Sequence, residues 1–283
     1  MRFVLQLVAV VAVSWAAGQA IALADGHAWL SLAVGVGAAV IATLVYFAVV
    51  RATEKRPVTE LAARTAASGL IRGLLLGVAV FAAVIGQIAV NGGYRITGIS
   101  DSPVDAAGLF GFMAGAATTE ELLFRGVLFR YLEKVTGTWL AFAASALVFG
   151  GVHLLNPNAT WWGALCVAIA GGGMLTSAYI AARTLWLPIG LHFGWNYAQS
   201  AIFGSEVSGN GVRHGILESE STGDALVSGG RFGPEASVFT LIAGVLVTAV
   251  FLWLARRRGH LVPMRRAART VEPAPARPSK IAG

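Results

Sequence analysis

Residues 105–131 read DAAGLFGFMAGAATTEELLFRGVLFRY. The stretch is long enough to cross a bilayer and nearly free of charge over its first half. It then sets two adjacent carboxylates, Glu120 and Glu121, with three residues between them and Arg125. Read as a helix, Glu121 and Arg125 are four apart and share a face, so they can pair. Glu120 points about 100° away and is free for other work. Ionisable groups at membrane depth are costly, and they usually mark a functional site with a partner. What faces Glu120 therefore decides how the rest of the chain is read.

The surroundings are apolar throughout. Of 283 residues, 56% are hydrophobic and 12% charged, about half the charge of a soluble domain. With a mean hydropathy of +0.71 and apolar runs at 3–24, 28–50, 70–92, 105–131, 138–155, 159–182, 185–204 and 236–255, this composition predicts an all-α, polytopic transmembrane bundle of about eight helices, with the active site between helices. No ten-residue alternating segments suggest a membrane barrel. The expected organisation is 1–104 as about three N-terminal helices with a basic inner loop, 105–204 as the catalytic core, 205–234 as an outer loop, 235–255 as the last span and 256–283 as a basic flexible inner tail. Trp29, Trp139, Trp161, Trp162, Trp186 and Trp253 sit near run ends, as an interfacial aromatic belt requires. Cys166, the single cysteine, excludes an internal disulfide and reads as a small core residue. The first run, with Ala22-Leu23-Ala24 at its end, invites a signal-peptide reading. Its apolar stretch is longer than the roughly 7–15 residues of a signal core, so an uncleaved helix is the preferred expectation.

The net charge of +7 is a matter of placement. With the N-terminus inside, 18 of the 21 Lys and Arg residues fall on inner segments, and only Arg95, Arg213 and Arg231 fall outside. That asymmetry predicts an integral membrane protein with both termini inside and the lipid bilayer as its partner. It leaves no nucleic-acid patch to explain.

Few polar side chains remain within the later runs. His153 follows Phe149 by four residues, and Asn196 follows His192 by four, so each pair shares a helical face. A lone histidine, a lone Glu-Glu or a lone Glu–Arg pair is more simply a packing or solvated feature, and Phe149 a packing residue beneath His153. The set is different: two carboxylates, two imidazoles and an amide on three greasy helices. A general base, a water and an oxyanion donor are what hydrolysis of an acyl bond needs.

The three motifs Glu120-Glu121-x-x-x-Arg125, Phe149-x-x-x-His153 and His192-x-x-x-Asn196 together resemble the CPBP family of intramembrane proteases (CAAX protease and bacteriocin-processing, also called Abi), to which type II CAAX prenyl endopeptidases belong. The resemblance covers about 110–205. Gly229-Gly230-Arg231-Phe232-Gly233-Pro234-Glu235 also looks like bacterial members, which implies a bacterial cell membrane. The family implies an endopeptidase acting on a membrane-associated peptide or protein, without implying that the substrate is prenylated. Glu120 is expected as general base, His153 as a holder of the water, Glu121 with Arg125 as a helix-fixing pair, and His192 and Asn196 as oxyanion donors. The alternatives are a zinc-dependent version, with the metal at His153 and His192, a non-enzymatic immunity or scaffold protein, and a transporter using the same groups as a relay. One tension stands. At about 1.5 Å per residue, upright helices leave His153 and His192 roughly 10 Å apart in depth. Tilt, a kink at Gly150-Gly151 or a deeper start of the later span would close the gap.

Overall fold

The computed structural model describes residues 1–211 and 215–264. Helical bodies follow the eight apolar runs. The first three, α1 (Arg2–Leu23), α2 (Ala28–Glu54) and α3 (Ala66–Val90), are unbroken. The fourth begins as α4 (Asp105–Glu121), passes through a π-helical stretch, Leu122–Phe129, and ends as α5 (Arg130–Thr136). Next, α6 (Thr138–Val152) closes in a 3-10 turn, His153–Leu155. A second π stretch, Val167–Gly172, joins α7 (Trp161–Cys166) to α8 (Gly173–Ala182), and a third, Ala198–Ile202, follows α9 (Trp186–Tyr197). The short α10 (Ala225–Ser228) precedes α11 (Val238–Arg257). Six of these bodies are long and apolar enough to cross a membrane. The other two are those bearing Glu120–Arg125 and His192–Asn196. One carries charge; the other is short. The all-α membrane bundle stands, with two motif helices that a span criterion alone would pass over.

Glycine sets how closely these helices approach. A Cβ on Gly73 or Gly77 of α3 would run into backbone atoms of α9, and a Cβ on Gly190 or Gly194 of α9 would run into the carbonyls of Leu70 or Leu74. Both helices thus carry small residues four apart on the shared seam, the arrangement that lets apolar helices associate by close packing where lipid gives no hydrophobic drive. Gly35 of α2 and Gly111 of α4 meet in the same way. The two motif helices α4 and α9 are therefore each held against a plain span.

The bundle has two distinct ends. At the basic end, Arg56 and Arg130 pair with Glu54 and Glu60, with N–O distances of 2.6–2.8 Å for their closest contacts, and Arg183 pairs with Glu133 at 2.5 Å. Tail residues belong to this end too. Arg258 Nη1 donates to the Ala181 carbonyl, and Thr138 and Val262 exchange backbone and hydroxyl hydrogen bonds. The flexible tail expected from 256 onward is thus packed as far as Val262, because Arg183 and Thr138 offer it partners; residues 265–283 lie outside the described residues. At the other end, β1 (Tyr94–Ile99) and β2 (Leu217–Ser221) pair antiparallel, with Arg95 and Glu220 facing each other at 2.8 Å. The second segment lies in the stretch 205–234 expected as an outer loop, and the first in the turn-rich stretch after the third apolar run. Their few residues and weak alternation hide a ribbon that forms only because two distant connections meet.

The depth gap between His153 and His192 closes without a kink at Gly150-Gly151, since α6 runs unbroken to Val152. Instead α9 starts recessed. The α2–α3 connection lies across its first residues: Leu185 N–H donates to the Glu60 carbonyl, Trp186 Nε1 to the Ala62 carbonyl, and Leu185 is fully buried.

Candidate active site

Glu121 sits at the centre of the motif residues, with no exposed surface. Its Oε1 accepts from Arg125 Nη1 at 2.7 Å and from His192 Nδ1 at 2.9 Å. A carboxylate oxygen only accepts, so the His192 Nδ1 carries a proton and Nε2 points elsewhere. Arg125, equally buried, also donates to Thr176 Oγ1 and the Gly172 carbonyl, and its guanidinium lies 4.4 Å from the centroid of Phe149. The expected Glu121–Arg125 pair therefore forms, and it also fixes the tautomer and direction of His192. Thr176 and the second π stretch, which supplies the Gly172 carbonyl, complete the support.

Glu120 faces the other way, as the 100° rotation implies. Its Oε2 is shielded from solvent, has no hydrogen-bond partner among the described residues, and lies 3.9 Å from His192 Nε2. His153 Nδ1 donates to the Phe149 carbonyl at 2.8 Å, which leaves its Nε2 as a bare acceptor. Phe149 lies between the two histidines, with ring centroids 4.9 Å from His153 and 6.0 Å from His192. It is more than a packing residue, because its face meets Arg125 and its carbonyl orients His153. Glu120, His153, His192 and Asn196 all line one cavity of about 360 Å³. Glu121, Arg125 and Phe149 stand behind it rather than in its wall.

The zinc reading needs His153, His192 and a carboxylate placed around one point, at about 2.0–2.2 Å from it. Among the described residues no group of three or more His, Cys, Asp or Glu side chains is so arranged.

Two acids of the outer connection complete the cavity, and neither stood among the expected site residues. Glu235 Oε2 accepts from both the N–H and the hydroxyl of Ser208, each at 2.6 Å, and Ser208 lines the cavity. Ser208 has φ +51° and gives its carbonyl to Asn156 Nδ2, which lines the same cavity. Glu206 accepts from the Gly211 N–H, and burial, helped by the charge of Glu235, holds its carboxyl above the usual range. These contacts fold 205–211 into a wall of the cavity. In the sequence, only the family-like stretch ending in Glu235 hinted at it.

No curated protein and no solved structure matches the chain. Residues 102–198 match the family model described as Type II CAAX prenyl endopeptidase Rce1-like. The matched segment holds all three motifs and all four cavity-lining motif residues. That segment is thus similar to the type II CAAX prenyl endopeptidases, and the apolar helices around it make the chain an integral membrane protein.

Proposed function

We propose that the protein is an intramembrane endopeptidase in which Glu120 activates a water for attack on a peptide carbonyl. The carrying observation is the convergence of Glu120, His153, His192 and Asn196 on one cavity. A scaffold has no need to turn four polar side chains into a shared space. Glu120 Oε2 is a buried acceptor without a donor, a costly arrangement unless a water or substrate supplies one. Such a water, held also by the bare Nε2 of His153, gives its proton to Glu120 as it attacks. The tetrahedral oxyanion then needs donors. The Asn196 amide brings two N–H groups without charge. His192 can donate from Nε2 once it is an imidazolium. After collapse of the intermediate, Glu120 returns the proton to the leaving amine.

Glu120→Gln tests the reading. The substitution keeps shape but cannot take a proton, so turnover should fall by at least about 10²-fold with expression unchanged. Termini of membrane proteins mapped by mass spectrometry, in cells bearing wild type or the variant, supply the assay. Identical cleavage in both would refute the role of Glu120.

A further inference from the structure

We propose that the catalytic cavity opens on the side of the membrane opposite the basic helix ends, so that its substrates are peptide segments presented at the outer face of the bilayer. The assignment of substrate rests on the protease reading; the direction of the cavity does not.

The geometry is one-sided. Apart from residues of the helices themselves, the cavity is walled by Asn156, Val207, Ser208, Asn210 and Gly211, all from the connections at the ribbon end of the bundle. A second cavity of about 510 Å³ adjoins it, with Phe112, Asn210 and Gly211 common to both linings. This second space reaches the α1–α2 turn at Gly26 and the first turn of α4 at Asp105. Together they give water and an extended chain a path from that surface down to Glu120. The opposite direction is closed. There the fully buried Glu121–Arg125 pair forms the floor, followed by the fully buried rings of Phe129 and Tyr46. The Tyr46 hydroxyl shares its one proton between Glu60 and the Gly126 carbonyl, and the Glu54, Glu60, Arg56 and Arg130 ion pairs seal the bundle beneath it.

Charge then says which side is which. Among the described residues outside the site, Arg2, Arg51, Lys55, Arg56, Arg64, Arg72, Arg130, Lys134, Arg183 and Arg256–Arg258 lie at the sealed end, against Arg95 and Arg231 at the open end. Lys and Arg near span ends are retained on the cytoplasmic side. The sealed end is therefore cytoplasmic and the open end outer. A bond reaching Glu120 by this path belongs to an exported peptide or an outward-facing segment of a membrane protein, and the attacking water comes from the same side.

Two single-cysteine variants test this in a Cys166→Ser background: Asn210→Cys at the cavity mouth and Lys134→Cys at the basic end. Intact cells are treated with a membrane-impermeant maleimide. Asn210→Cys should label at least about tenfold more than Lys134→Cys before permeabilisation, and both should label after it. Labelling of Asn210→Cys only after permeabilisation, or not at all, overturns the outward cavity, as does labelling of Lys134→Cys in intact cells. In the second arm, membrane-protein termini that depend on Glu120 should fall in outward-facing segments. Glu120-dependent termini in cytoplasmic segments overturn the substrate class. Outward labelling with no Glu120-dependent termini overturns the protease reading and the substrate assignment with it, while the direction of the cavity stands.

Discussion

At the scale of single residues, Glu120 and Glu121 are chemically identical neighbours made different by one helical step. Glu121 has no surface and its Oε1 is tied by Arg125 and His192, and although an Oε2 of each carboxylate lacks a partner among the described residues, only Glu120 lines the cavity. That division predicts unlike phenotypes. Arg125→Ala leaves a buried carboxylate without its cation, which typically costs about 3–5 kcal/mol; folded yield in detergent should drop, measured by size-exclusion chromatography, whereas Glu120→Gln should purify as wild type does. Asn196 separates the metal-free mechanism from the zinc alternative. An amide oxygen is not among the usual zinc ligands, so a metal-centred site gives Asn196 no part in coordination. An oxyanion site does need its N–H groups, and loss of one donor typically costs about 10²–10³ in turnover. Asn196→Asp is nearly isosteric, yet its carboxylate would repel the oxyanion, so the variant should be nearly inactive. Purified wild type should keep its activity after chelation. Zinc bound in stoichiometric amount, lost with activity on chelation and restored with it on re-addition, would overturn the metal-free mechanism.

At the scale of elements, the site is a matter of how α9 is docked. His192 and Asn196 reach the cavity because the glycine seam with α3 lets α9 sit backbone to backbone against it. Gly194→Val would push its side chain into Leu74 of α3. Overpacking of this kind commonly costs about 1–3 kcal/mol. Because Gly194 lies between His192 and Asn196, the displacement should lower turnover more than it lowers folded yield, a split read by assaying activity per mole of monodisperse protein. Equal loss of both would make the seam merely structural. The motif spacings on α4, α6 and α9 were legible because a period of four residues on one face is a local property. The Glu121–His192 bond, the Phe149–Arg125 contact and the Glu235–Ser208 anchor were not. Each joins segments apart in sequence, and no local pattern records which face of one helix meets which face of another. The π stretches were equally hidden. The first of them holds Arg125 of the first motif and the third follows the third motif, and these two supply part of the cavity wall through Leu123, Phe124 and Ser200, yet their composition is that of any apolar helix.

At the scale of the whole molecule, apolar runs located the helical bodies, and the basic residues sorted the ends. The network that ties α1, through Gln6, to α2, the α2–α3 connection and α5 at the basic end leaves no such mark, because Glu54, Glu60 and Arg130 look like ordinary flanking charge in the sequence. Glu60 is its anchor, buried and bonded to Arg56 and Tyr46. Burial pushes its carboxyl up, but hydrogen bonds from Arg56 and the charge of Arg130 outweigh that and hold it below the usual carboxylate range. A depressed folded-state pKa means the native state binds fewer protons than the unfolded one between the two values. The contribution to stability is therefore full above the unfolded value of about 4.3 and is lost as pH falls through the folded value. Glu60→Gln removes the charge at every pH and keeps the shape. Its cost near pH 7 should be about 1.5–3 kcal/mol, the usual worth of hydrogen bonds to a charged group. Thermal unfolding in detergent should show wild type several degrees more stable than the variant above the unfolded carboxylate value of about 4.3, with the two curves converging as pH falls through the lower folded value. Curves that never differ near neutral pH would mean that the network holds the end of the bundle by shape alone. Convergence would mean that the same charges that orient the chain in the membrane also lock the floor beneath Glu121 and Arg125.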